Sequence, residues 1–166
     1  DPSTRVDVYD ANGQPIGDRL VLAPLRLHRQ AAVQQAPSGS PAGTWQNGIV
    51  LDKAELDTDA QGLPTGIALT WAPTATIQSD YTVFVQVLDA DNNILAQVDS
   101  QPQGGSYPTS TWRVGDAITD TVTWSGDADT GGWARVILGL YGAEGKRLPL
   151  QNGFDYLEVA RSAANQ

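Results

Sequence analysis

The 166-residue chain has no cysteine, no methionine and a single histidine, His28. The lack of Cys excludes disulfides, thiolate metal sites and cysteine nucleophiles, although it does not by itself fix a compartment. With His28 lodged between Leu27 and Arg29, and with no Gly-x-Ser-x-Gly elbow to supply a nucleophile, a serine-type triad is effectively ruled out. Basic residues are scarce: 10 Lys and Arg against 19 Asp and Glu leave a net charge of -9, which repels a phosphate backbone or an anionic lipid surface. No nucleic-acid partner is expected. Long apolar runs are missing too. The strongest, residues 83–88 and 136–141, fall far short of the roughly 20 residues a helix needs to span a bilayer, so no direct membrane insertion is expected. Because the chain starts Asp1-Pro2 and holds no Met, it is expected to be a piece of a longer protein.

What the chain does contain is strand signal. Short runs rich in Val, Ile, Leu, Thr and aromatics alternate with Gly, Pro, Asn and Asp clusters, the pattern of an antiparallel sandwich or barrel. In Ile67-Ala68-Leu69-Thr70-Trp71 the large apolar residues occupy alternate positions, so Ile67, Leu69 and Trp71 should face the core and Thr70 the solvent. Residues 81–88 are apolar on both faces apart from Thr82 and Gln86, as befits a central strand, and residues 133–141 read the same way. Ile118, Val122 and Trp124 alternate with Thr119, Thr121 and Thr123 in a further strand of high β propensity. Residues 49–56, 94–98 and 154–159 bring the expectation to about seven strands after residue 44.

One local motif occurs three times: Val8-Tyr9-Asp10-Ala11-Asn12-Gly13, Val87-Leu88-Asp89-Ala90-Asp91-Asn92 and Leu140-Tyr141-Gly142-Ala143-Glu144-Gly145. Each predicts a β-hairpin, because Asp, Asn and Gly supply the side-chain-to-backbone bonds and positive φ of a tight reversal. Residues 29–43 are different material, Ala- and Gln-rich and then Pro/Ser/Gly-rich, and read as a linker with a helical turn at 31–36. Ahead of it, residues 5–9 and 20–27 make two strands, too few to bury a core alone. The expected organisation is therefore N-terminal strands over 1–28, a linker over 29–43, a sandwich over 44–160 and a tail over 161–166. The fold class is all-β, a two-sheet antiparallel β-sandwich of immunoglobulin-like or jelly-roll type.

Candidate sites are few. The 19 acidic residues offer many carboxylate pairs of the glycosidase kind, but most lie in turns, where an acid has a structural job. Asp89-Ala90-Asp91-Asn92-Asn93 starts like a calcium loop, yet its sixth position is Ile94 and its twelfth Ser100; Asp57-Thr58-Asp59-Ala60-Gln61-Gly62 reaches Ala68 at its twelfth. No metal, no cofactor and no catalytic residue is expected. Residues 104–112 form the most distinctive segment. Gly104 and Gly105 allow turns closed to other residues, Pro108 fixes the chain after Tyr107, and Trp112 opens a strand. Tyr107 and Trp112 offer flat faces and Thr109 and Ser110 hydroxyls for stacking and hydrogen-bonding a sugar ring; alternatively Trp112 plugs the end of the core. Asp120 lies in phase with Ile118 and Val122, on the buried face, and is expected to accept backbone N–H groups of residues 107–111.

Residues 80–91, then Gly104-Gly105-Ser106-Tyr107-Pro108-Thr109-Ser110-Thr111-Trp112, then Gly139-Leu140-Tyr141 and Arg147-Leu148-Pro149-Leu150, resemble the extracytoplasmic β-sandwich domains that follow the transmembrane portion of bacterial membrane glycosyltransferase-like proteins. Those parents are polyprenyl-phosphate-sugar-dependent and common in filamentous green non-sulfur bacteria. The resemblance covers about residues 45–160, with Gly131-Gly132-Trp133 in place of the family's Pro-Gly-x-Tyr. It implies a non-catalytic accessory domain, extracytoplasmic at the cell surface and tethered through a parent membrane protein, whose catalytic carboxylates match nothing in this chain, and which contacts glycan or cell-envelope material. It also implies that residues 5–27 are the end of an upstream repeat; the alternative is that 20–27 is an integral strand of this sandwich. A homodimer through the N-terminal strands is a further expected partner. A carbohydrate-binding or adhesion module of a secreted surface protein is the alternative function, and a ligand-free spacer a third.

Overall fold

The alternating segments do become strands, and their register decides which side chains face inward. The computed structural model describes residues 8–9, 14–17, 41–125 and 128–163. The chain divides into two units, residues 1–34 and 35–166. In the first, β1 (Val8–Tyr9) and β2 (Pro15–Gly17) pair antiparallel as the hairpin expected there. Residues 20–27, the helical turn at 31–36 and His28 lie outside the described residues.

The second unit is a sandwich of two four-stranded antiparallel sheets. One has the order β3 (Gly43–Thr44), β4 (Val50–Thr58), β5 (Pro64–Trp71), β8 (Ile118–Thr123). The other has the order β10 (Leu157–Arg161), β9 (Trp133–Tyr141), β6 (Thr82–Asp89), β7 (Ile94–Ser100). Sequential pairs β4–β5, β6–β7 and β9–β10 stay within a sheet, while the chain crosses between sheets after β5, β7 and β8. With β3, β4, β5 and β8 in one sheet and β6, β7, β9 and β10 in the other, the unit is the two-sheet antiparallel sandwich expected.

Pleating explains the core. Ile67, Leu69 and Trp71 of β5 face Val83, Val85 and Val87 of β6 and Val136, Leu138 and Leu140 of β9, all essentially inaccessible. At one end Trp71 touches both Trp45 (ring centroids 5.7 Å apart) and Trp112 (5.9 Å). Each buried indole withdraws about 200 Å² of largely apolar surface from water, worth up to roughly 5 kcal/mol before the entropy of ordering it. The two strands read as apolar on both faces, β6 and β9, are the central strands of their sheet. Their outward residues Phe84, Leu88 and Ile137 form a second cluster with Tyr141 and Tyr156.

The expected strand at 154–159 begins later, at Leu157, and runs to Arg161. The reason is a reversal just before it: Leu150 N–H donates to the Phe154 carbonyl, Phe154 N–H donates to Asn152 Oδ1, and Gly153 takes φ +88°. Phe154 is left 62% exposed. No helix among the described residues is long and apolar enough to cross a membrane.

Candidate functional site

Residues 101–112 leave β7 at the tryptophan-lined end of the sandwich. Gly104 and Gly105 do take left-handed φ (63° and 86°), and Gln103 joins them at 53°, within a 3-10 turn, Pro102–Gly105. Pro108 is extended (φ -58°, ψ 145°) and a second 3-10 turn, Thr109–Thr111, follows.

Of the four residues expected to form a sugar-stacking rim, two are inside the protein. Trp112 is 2% exposed and donates its indole N–H to the Tyr107 carbonyl at 3.2 Å. Thr109 is fully buried; its hydroxyl donates to the Ser79 carbonyl (2.8 Å) and accepts from Tyr81 N–H (3.0 Å). Tyr107 is half-buried with its hydroxyl directed at Asp116 Oδ2 (3.3 Å), and Ser110 is exposed, its N–H donating to Asp80 Oδ1. The segment is thus a seal stitched to residues 79–81, and Trp112 has no face to offer a ligand. Trp112 also stands before the next strand rather than opening it, since β8 starts at Ile118.

Asp120 is buried as its phase predicts, 8% exposed, but its partner is a different turn. Its Oδ1 accepts from Gln103 N–H (3.0 Å) and Thr121 N–H (2.9 Å), not from residues 107–111. The cause is topological: the Pro102–Gly105 turn comes straight off β7 and packs beside β8, so it reaches Asp120 first.

Both calcium-like segments are turns. Asp89 Oδ1 accepts from Asp91 and Asn93 N–H, and Oδ2 accepts from the Asn93 side chain. Chiefly through the Asn93 bonds, its carboxyl is held below the usual carboxylate value. Asp59 Oδ1 accepts from Gln61 and Leu63 N–H in the same manner. Among the described residues no three His, Cys, Asp or Glu side chains gather as a metal-ligand group.

Two hollows remain. One, of about 310 Å³, lies where β10 ends, beside Asp89, Asn92, Arg135 and Arg161. Its charges satisfy one another: Arg161 makes two 2.7 Å bonds to Glu158, Arg135 lies 3.8 Å from the same carboxylate, and Arg135 also donates to Asn92. The other is an open groove of about 190 Å³ on the outer face of the β10-β9-β6-β7 sheet, lined by Phe84, Gln86, Gln97, Asp99, Tyr141, Gly145 and Arg147. There Gln86 Nε2 donates to Gln97 Oε1 (2.9 Å) and Gln97 Nε2 donates to Asp99 Oδ2 (2.5 Å). Beside them burial first, and then the Asp99 charge, raise the Tyr141 pKa above the ordinary tyrosine value. These residues were not singled out from the sequence. The available signal was the polar Gln86 set within an otherwise apolar strand.

No protein-family model matches the chain, and no curated protein or solved structure is significantly similar to it.

Proposed function

We propose that this chain is a non-catalytic accessory sandwich held outside the cytoplasm by a membrane glycosyltransferase-like parent, strung beside other copies of the same module and contacting glycan or envelope material. The observation that carries it is a repeated device. The sandwich uses the motif reversal twice with the same spacing, Leu88 opposite Ile94 and Tyr141 opposite Arg147. The separate N-terminal unit uses it a third time, Tyr9 opposite Pro15. A hairpin of this kind is not independently stable in water, so the third copy fits best as part of a neighbouring sandwich.

The geometry of the sandwich suits such a string. Its first strand, β3, pairs with the start of β4, at the end sealed by Trp45, whereas β10 runs to the opposite end, where Arg161 faces Arg135 at the start of β9. Six of the described carboxylates, Asp59, Asp80, Asp89, Asp116, Asp120 and Asp129, accept a backbone N–H and so have structural work of their own.

The test is the full-length parent. It should contain several apolar segments of about 20 residues and further copies of the hairpin motif upstream of this chain. On intact cells the sandwich should be reachable by an antibody or a protease added outside. A parent without apolar spans, or a domain reachable only after lysis, would refute the proposal.

A further inference from the structure

On that reading of a module that contacts glycan, the geometry points to a saccharide site on the outer face of the β10-β9-β6-β7 sheet, in the groove of Phe84, Gln86, Gln97, Asp99, Tyr141 and Arg147. Three strands supply it. Cross-strand register sets Gln86 opposite Gln97 and Phe84 opposite Asp99, and places Tyr141 opposite Thr82. The side chains are already oriented before any ligand arrives, because the Gln86–Gln97–Asp99 chain of hydrogen bonds fixes each planar group. An amide side chain can make about four hydrogen bonds and a carboxylate can accept about four, so this chain leaves capacity for a ligand rich in hydroxyls.

The floor supplies the apolar half of such a site. Phe84 is 2% exposed, its ring 6.4 Å from that of Tyr141 and inclined by 27°, with the Arg147 guanidinium 4.5 Å over it. A sugar presents C–H groups on its faces and hydroxyls around its rim, and the groove offers the half-buried Tyr141 ring and the exposed Arg147 guanidinium, both backed by the buried Phe84, beside amide and carboxylate groups. Its volume, about 190 Å³, is below the roughly 300–1,000 Å³ of pockets that engulf a small molecule. It fits one sugar unit of a chain lying across an open face. Charge selects among saccharides. Asp99 and Arg147 contribute one charge of each sign, while the chain as a whole carries -9, so a neutral saccharide is favoured over an acidic one.

The experiment is a ¹⁵N-edited NMR titration of the whole chain with soluble neutral hexasaccharides of glucan, mannan and galactan type, and with a galacturonan hexasaccharide as the acidic comparison. The expected result is millimolar binding of a neutral probe that shifts the side-chain amides of Gln86 and Gln97 first. Gln97→Ala should weaken it about fivefold to tenfold, the effect of one or two lost neutral hydrogen bonds. Thr121→Ala, on the outward face of the other sheet, should leave it unchanged. Shifts confined to residues 104–112 would overturn the site while leaving glycan contact standing. Preference for the galacturonan would overturn the charge argument, and no shift with any probe at millimolar concentration would overturn the site altogether; neither result bears on the parent's membrane spans.

Discussion

Gly139 is the residue on which the outer face of the second sheet depends, and Gly139→Ala tests this directly. A Cβ built there would lie 2.4 Å from both Cε1 and Cζ of Phe84 and 2.9 Å from the Asp155 carbonyl oxygen. Carbon atoms in contact sit about 3.5–4.0 Å apart, so the overlap exceeds 1 Å with the ring and is compounded by backbone. The ring has little room to yield, since the Arg147 guanidinium covers it and it is 2% exposed. Overpacking of this kind costs about 1–3 kcal/mol, here at the upper end because backbone is struck as well, against a gain of about 0.5–1 kcal/mol for removing Gly from a strand interior. The expected net effect is a destabilisation of about 2 kcal/mol, which at roughly 4 °C per kcal/mol lowers Tm by about 8 °C. Urea unfolding of wild type, Gly139→Ala, Phe84→Leu and the double mutant closes a cycle. Phe84→Leu should be milder when combined with Gly139→Ala than alone, with a coupling of at least about 1 kcal/mol. A neutral or stabilising Gly139→Ala, or strictly additive effects, would show that Phe84 does not lie over Gly139.

Thr109→Val keeps the shape of a fully buried side chain but leaves Tyr81 N–H and the Ser79 carbonyl without their partner, so it should cost about 2 kcal/mol in urea unfolding, with Thr109→Ser close to wild type; a Val variant as stable as wild type would mean that the seal is held by packing alone. Asp89, whose carboxyl is held low by its own turn, contributes stability above its unfolded value near 3.8 and loses it as pH falls through the depressed folded value. The urea midpoint of wild type relative to Asp89→Asn should therefore fall as pH is lowered past that value. A difference unchanged between about pH 6 and about pH 2 would count against the turn bonds.

The sandwich was legible because its strands alternate with the period the pleat requires. Ile67, Leu69 and Trp71 could be placed inside, and β6 and β9 at the centre, from their patterns alone. Asp120 was legible in its burial, since phase with Ile118 and Val122 fixes a face, but not in its partner, since phase says nothing about which loop crosses that face. The same limit governs Trp112. An aromatic at the end of a strand-rich segment can close a core or line a rim, and only the positions of Trp45 and Trp71 beside it decide for the core. The groove was out of reach for another reason. Gln86 and Gln97 meet across a hairpin, but Tyr141 and Arg147 come from residues far along the chain and join them only through the β6–β9 register.

Burial and side-chain pairing narrow where a ligand can act. One end of the sandwich is closed by three tryptophans and the Tyr107–Trp112 seal. At the other, Asp59 and Asp89 are spent on their own turns and Arg135 and Arg161 on Glu158. The outward face of the β3-β4-β5-β8 sheet presents Lys53, Glu55, Asp57, Ala68, Thr70 and the row Thr119, Thr121 and Thr123, small or flexible groups with no aromatic among them. The opposite outward face carries the aromatic cluster of Phe84, Tyr141 and Tyr156, and Gly139 is what lets the buried Phe84 ring lie close against the strand. A larger residue at 139 would lift Phe84 away from β9 and disturb Asp99 and Tyr141 with it. If the groove is the saccharide site proposed above, packing and recognition are coupled through a single absent methyl group, and Gly139→Ala should lose saccharide contact along with stability.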